Sequence, residues 1–308
     1  MKTITLKKAV YASALLLLMG STANATTLWV NCGARSGLTN INAALKALQY
    51  SESRSPLTIN VSGACHENVV IQSLDRLTLT AVSGASVSDA SGGKLDVIAI
   101  SDSRDVAIDG FTINGVPGDD NGVSCNDFST CRLSGNVIQG AGNGGFAVFS
   151  QSQATLDGDT LQNNAGAGLL MRSGSKVRAG SRPFISRANG QGINIGRQAF
   201  AYIVAVIESN SGQGVVVQFQ STLELSGSIT GNGGVGTDVR EGSVARFTAA
   251  TISGNGGAGI LVHDLSMVTF NGTTVTGNGG GTDVVCNPQY PVTGGVASTG
   301  GTTTCVEP

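Results

Sequence analysis

Charge is scarce in this sequence. Only 12% of the 308 residues are Asp, Glu, Lys or Arg and 5% are aromatic, against about 25% charged residues in an average globular chain. That composition argues against a general adhesive surface or a membrane-binding helix. There are two histidines and no Cys-x-x-Cys pair, so a zinc centre has no ligand set. No Gly-x-Ser-x-Gly elbow occurs, and cysteines expected to be oxidised offer no thiolate, which leaves nucleophilic Ser or Cys chemistry without support. Proline is also rare, at 6 residues, while glycine is frequent, at 45. This balance does not shift after the first 25 residues, and one domain is expected.

Residues 1–25 read as a secretory signal peptide. Lys2, Lys7 and Lys8 form a positive end, Ala14 to Met19 an apolar core, and Ala23-Asn24-Ala25 a small-residue cleavage site; the apolar run is too short to span a bilayer. Removing them takes three lysines from 18 basic residues and leaves 15 against 20 acidic, a net charge near -5. Nucleic acid is not expected as a partner of so acidic a chain. All six cysteines, Cys32, Cys65, Cys125, Cys131, Cys286 and Cys305, fall in the exported part. Three disulfides are expected there, paired Cys32 with Cys65, Cys125 with Cys131, and Cys286 with Cys305, because a solenoid's two ends need closing. The expected location is secreted or periplasmic, the expected state a monomer.

One short phrase returns seven times between Asn143 and Cys286. It reads Asn143-Gly-Gly-Phe-Ala-Val, Asn164-Ala-Gly-Ala-Gly-Leu-Leu-Met, Asn189-Gly-Gln-Gly-Ile-Asn-Ile and Asn210-Ser-Gly-Gln-Gly-Val-Val-Val, then continues at Asn232, Asn255 and Asn278. Successive asparagines are 21, 25, 21, 22, 23 and 23 residues apart, the period of a solenoid. Aligned on the last Gly of each copy, the first position holds Phe146, Leu169, Ile193, Val215, Thr237, Ile260 and Thr282, and the third Val148, Met171, Ile195, Val217, Val239, Val262 and Val284. Apolar or β-branched residues at one and three, with two free, give the period of a half-buried strand. No stretch of the array carries the i, i+3, i+4, i+7 pattern that a helical solenoid needs. The asparagines themselves read as turn residues or as a stacked amide ladder.

The fold expected is all-β, a single-stranded parallel β-helix. Long, irregular coils of this kind resemble the right-handed pectin-lyase-like superfamily, so the resemblance implies a right-handed solenoid. Residues 26–56 are expected to form an N-terminal cap: Ile41, Ala44, Leu45 and Leu48 lie on one face of an amphipathic helix that begins near Thr39. Residues 57–286 form the β-helix and 287–308 a Gly- and Thr-rich C-terminal cap. The segment Gly63-Ala-Cys-His-Glu67-Asn-Val-Val-Ile71 resembles the Gly-x-Tyr-x-Glu-Asn-Val-x-Ile stretch that opens pectin-methylesterase-like proteins, where it is architectural; Cys65 stands in place of the Tyr.

The working groups of such a scaffold are expected on its outer face. The second-position column reads Ala147, Leu170, Asn194, Val216, Asp238, Leu261, Asp283, and the fourth Phe149, Arg172, Gly196, Gln218, Arg240, His263, Val285. Ionisable residues gather in the last three coils, which makes Asp238, Arg240, His263 and Asp264 the candidate catalytic residues. A guanidinium can neutralise a sugar carboxylate and acidify its α-proton, and His263 or Asp238 can take that proton. The segment Gly259-Ile260-Leu261-Val262-His263-Asp264-Leu265-Ser266 resembles Gly-Ile-Asp-Pro-His-Asp-x-Ser of mannuronan C-5 epimerases, with Leu261 and Val262 where that family has Asp and Pro. The resemblance implies uronate lyase or epimerase chemistry on a polysaccharide. The same charges equally suit ordinary cross-strand pairs on a solvated face, and then the protein is a non-catalytic binding or structural β-helix. A second acidic set, Asp102, Asp105, Asp109, Asp119, Asp120 and Asp127, includes Gly118-Asp119-Asp120, which resembles the paired aspartates of polygalacturonases. That family's Asn-Thr-Asp, Gly-His-Gly and Arg-x-Lys elements are not in the neighbouring coils, and these aspartates read as solvated turn residues. No cofactor is expected, with calcium the one ion such oxygens could hold.

Overall fold

The computed structural model describes residues 26–49, 56–286, 297–298 and 302–303. Residues 1–25, Cys305 and most of the expected C-terminal cap lie outside the described residues. The rest winds into a right-handed parallel β-solenoid whose coils present three faces. The first face is one 11-stranded sheet running from Val69–Gln72 to Thr302–Thr303. The second and third faces share a 19-stranded sheet. Most coils carry these two faces on separate strands, such as Thr130–Ser134 and Val137–Gln139; three consecutive coils carry both on one long strand, Phe200–Glu208, Thr222–Thr230 and Val244–Ser253.

Alternation along each strand sets what points inward. In Leu57–Ser62 the residues Leu57, Ile59 and Val61 are buried and those between them half-buried. Stacking then makes columns: Phe146 pairs with Leu169, Leu169 with Ile193 and Ile193 with Val215, all fully buried. Each inward aliphatic residue contributes about 1.5–3 kcal/mol of burial.

Two side-chain ladders hold the corners on either side of the first face. At the corner before it stand Asn164, Asn189, Asn210, Asn232, Asn255 and Asn278, all buried. The backbone N–H and the amide Nδ2 of Asn210 both donate to Asn232 Oδ1, at 3.1 and 2.8 Å. Asn232 repeats this with Asn255 at 3.1 and 2.8 Å, and its Nδ2 also reaches the Ile207 carbonyl at 3.3 Å. Glycine in the phrase leaves room for the ladder: a β-carbon at Gly214 would lie 2.6 Å from the Gly236 carbonyl oxygen and 2.8 Å from Asn232 Nδ2. At the other corner two residues of left-handed backbone, for example Phe219–Gln220, precede a buried serine. There the Ser221 N–H donates to Ser243 Oγ and the Ser243 N–H to Ser266 Oγ, both at 3.1 Å.

The structure corrects the repeat at both ends. Asn143 is exposed and outside the ladder; its place is taken by Ala141, whose N–H donates to Asn164 Oδ1 at 3.0 Å. At the top, Val284 and not Thr282 pairs with Ile260, and Val285 pairs with Leu261. A short 3₁₀ turn, Gly279–Gly281, intervenes, and the buried Asp283 turns inward to accept from Asn278 Nδ2 at 3.0 Å. Asp283 thus ends the amide ladder and does not belong to the outward second-position column.

The N-terminal helix forms as expected, and Thr26–Asn31 before it is a strand paired with Leu57–Ser62. Helix α1 spans Ile41–Gln49 and buries Ile41, Ala44, Leu45 and Leu48 against the first coils. Asn40 Oδ1 accepts the Ala43 N–H at 2.7 Å, while the Glu67 carboxylate accepts the Ile41 and Asn42 N–H groups at 2.6 and 3.1 Å. A carboxylate at a helix N-terminus both satisfies free donors and meets the positive end of the dipole. The architectural role of the Glu67 segment is therefore to seat this helix. Cys32–Cys65 and Cys125–Cys131 are disulfides; the third expected pair includes Cys305, outside the described residues.

Asn232→Ala leaves the buried Asn210 N–H without an acceptor, and we expect a loss of about 3 kcal/mol in urea unfolding, against less than about 1 kcal/mol for Asn143→Ala. Equal losses would contradict the ladder assignment. Cys32→Ser/Cys65→Ser opens a loop with a sequence separation of 33 and is expected to cost about 3–4 kcal/mol. An unchanged unfolding midpoint would remove that disulfide from the account of the N-terminal cap.

Candidate functional site

Asp238 lies in the strand Thr237–Val239 and His263 directly follows Ile260–Val262. Asp238 pairs with Leu261 and Val239 with Val262, so Arg240 comes one rung below His263, whose N–H donates to the Val239 carbonyl at 3.1 Å. The four expected residues meet. His263 Nε2 lies 2.8 Å from Asp238 Oδ1, His263 Nδ1 lies 3.0 Å from Asp264 Oδ2, and Arg240 Nη1 lies 3.4 Å from Asp238 Oδ2. Side-chain exposure rises from 6% at Asp238 through 27% at His263 to 56% at Asp264, which makes Asp238 the fixed end of the chain and Asp264 the solvent end.

The network extends further than the sequence reading placed it. Arg240 Nε and Nη2 both donate to Gln218 Oε1, at 3.2 and 2.7 Å. Gln218 Nε2 donates to Asn194 Oδ1 at 3.1 Å, and Asn194 Nδ2 to Gln191 Oε1 at 2.9 Å. Gln218 and Asn194 stand in the fourth- and second-position columns; an uncharged amide beside an arginine was the available signal. The second-position column is also not solvated, since Leu170, Val216 and Asp238 are all buried. At Asp238 the reason is visible: Arg240 and His263 close over it. Lower on the same face Ala147, Ala167 and Leu170 form a small apolar cluster with Phe149 packed against it.

Both nitrogens of His263 face carboxylate oxygens. A neutral imidazole has one N–H and one lone pair, so both contacts are hydrogen bonds only when the ring carries both protons. In that form it is an acid flanked by two bases, with Arg240 sharing the charge of Asp238. Asp264 sits at a left-handed turn position, φ 54°, a conformation Asp tolerates. It is the more exposed of the two carboxylate partners of His263.

The acidic set does not assemble. Asp102, Asp105 and Asp127 occupy left-handed turn positions, Asp109 ends the strand Val106–Asp109, and Asp119 and Asp120 lie before Asn121–Asn126. Asp120 is buried, accepts the Gly142 N–H at 2.9 Å, and burial pushes its carboxyl above the ordinary range. Among the described residues only Cys32, Cys65 and Glu67 bring three candidate ligand atoms within 4.8 Å of one another, and those two sulfurs are joined as a disulfide.

Known proteins place this geometry in a wider setting. The family model described as right handed beta helix region matches residues 60–182 and 179–297. No curated protein matches the chain in sequence. Among solved structures, ORF18 of Geobacillus virus E2 superposes with a TM-score of 0.65 at 12% identity, over 89% of this chain and 62% of that one. The mannuronan C-5 epimerase AlgE6 A-module of Azotobacter vinelandii gives 0.55 at 15% identity, over 87% and 91%. Pectate lyase Pel9A gives 0.55 at 10% identity, over 91% and 79%. At such identities these proteins share a fold, and the chemistry must come from the side chains themselves. Matched over most of its length and built of stacked parallel coils, this chain belongs to the right-handed β-helix family.

Proposed function

We propose that this is an exported β-helix protein that binds a polysaccharide of carboxylated sugars along its first face and moves a proton there, as a uronate lyase or C-5 epimerase. The observation that carries the reading is the contact of His263 Nε2 with the buried Asp238 at 2.8 Å, with Arg240 on the same carboxylate. Leu261 stands where the epimerase-like segment has a carboxylate, and Asp238 lies directly below Leu261 in register, so the coil beneath supplies the acid that position 261 lacks. Two of the structural neighbours, a mannuronan C-5 epimerase and a pectate lyase, support a polysaccharide as the substrate class.

In this reading Arg240 leaves Gln218 to pair with the sugar carboxylate, which stabilises negative charge as the adjacent C–H bond breaks. His263, once deprotonated, takes that proton, and Asp238 holds the ring and balances its new charge. Return of a proton to the opposite face of the carbanion gives the epimer; expulsion of the linked oxygen with its electron pair gives the unsaturated lyase product. Export is supported by the character of residues 1–25 and by the disulfides; among the described residues no helix is long and apolar enough to cross a membrane.

A non-catalytic reading is favoured by one feature: Arg240 bonds both Asp238 and Gln218, and His263 bonds two carboxylates, so the four side chains satisfy one another. Turnover separates the two. Residues 26–308 are incubated with acidic polysaccharides, with and without calcium, and followed by unsaturated-product absorbance and by deuterium exchange at the sugar α-carbon. His263→Ala is expected to lower turnover by about 10²–10⁴-fold in a protein that remains folded, and Arg240→Gln to raise KM. Silence of the folded wild type across the panel would establish the non-catalytic reading.

A further inference from the structure

The second face carries a groove of about 600 Å³ whose lining includes Arg132, Lys176, Arg178 and Tyr202, none of them near His263. We propose that it is a separate binding site for an anionic glycan, a chain bearing carboxylate or sulfate groups. Register builds it: Arg132 pairs with Thr155, Thr155 with Arg178 and Arg178 with Tyr202, all outward on consecutive rungs. Rungs are about 4.8 Å apart, so the two guanidinium stems stand about 10 Å apart with a small threonine between them. Lys176 lies two residues before Arg178 on the same strand and pairs with Phe200.

The cations are available. Among the described residues neither Lys176 nor Arg178 takes part in an ion pair, and both are exposed. Arg132 is drawn to Asp109, so the weight falls on the other two. Three cations against the single carboxylate of Asp105 line the groove, on a chain whose formal net charge is -2; the positive charge is therefore local. Tyr202, 48% exposed, holds its ring 5.9 Å from the Arg178 guanidinium carbon. A guanidinium fork beside an aromatic face suits an anionic sugar, with the fork on the acid group and the ring against the sugar's C–H face. Only one end of the groove is aromatic, whereas a single-stranded nucleic acid calls for a platform per base. The site stands apart from the chemistry at His263 and does not depend on it.

The test is affinity electrophoresis of residues 26–308 in gels containing alginate, dextran sulfate or neutral dextran, with a single-stranded oligonucleotide as a fourth probe. Wild type is expected to be retarded by alginate or dextran sulfate and not by dextran. Lys176→Gln/Arg178→Gln should weaken that retardation by about tenfold or more, Tyr202→Ala should weaken it by less, and Lys94→Gln, at an exposed lysine outside the groove, should leave it unchanged. Retardation by alginate alone assigns carboxylates, and by dextran sulfate as well assigns anionic groups of either kind. The proposal is overturned if neither glycan binds, if the double variant binds as wild type does, if dextran binds equally, or if the oligonucleotide binds more tightly than both glycans. Loss of glycan binding in His263→Ala alone would move the glycan to the first face and overturn it too.

Discussion

A buried turn N–H must find an acceptor, and in this protein the acceptor is the side chain of the next coil. Each ladder asparagine from Asn164 to Asn255 donates its backbone and amide N–H groups to one oxygen on the rung above. The arrangement works only when the asparagines are in register, so every coil is fixed against its neighbour at that corner. The serine ladder does the same where it runs at the opposite corner. The first face lies between the two, clamped at both ends of strands that are at most six residues long.

That clamp is what places the candidate site. A slip of one residue in a strand turns every side chain to the other face, and Asp238 would then point into the aliphatic core. With the register held, residues 25 apart in sequence stand on adjacent rungs and touch at 2.8 Å. A buried carboxylate is tolerated only with partners, and Asp238 has two, Arg240 and His263. The same packing that makes the four side chains a candidate proton relay makes them mutually satisfied, and in the proposed reaction a sugar carboxylate would compete with Asp238 and Gln218 for Arg240.

The strand period was legible because inward positions repeat: Leu169, Ile193, Val215 and their kin are what burial demands of a two-residue period. The helix face of α1 and the Cys32–Cys65 disulfide were legible for similar reasons, a helical period and the need to close an open end. The ends of the array were not. Ala141 takes the ladder place two residues before Asn143 because only its N–H is needed at the bottom rung, and Asp283 takes the top because a carboxylate oxygen accepts as an amide oxygen does. Neither is an asparagine, so the phrase misled. At the site, Asp238, Arg240, His263 and Asp264 could be named from one-rung proximity, whereas burial of Asp238 and the reach to Gln218 depend on side-chain directions. The cations of the second face were missed because Arg132, Lys176 and Arg178 belong to no repeated phrase.

Amide hydrogen exchange would test the central claim most directly. In Asn164, Asn189, Asn210, Asn232 and Asn255 the backbone N–H donates to a side-chain oxygen, outside any strand ladder. If the amide ladder holds the solenoid, these protons exchange among the slowest in the protein, at the rate set by global unfolding. Exchange at the rate of exposed turn amides that have no acceptor would contradict it, and the register of the first face would then have to rest on the strands alone.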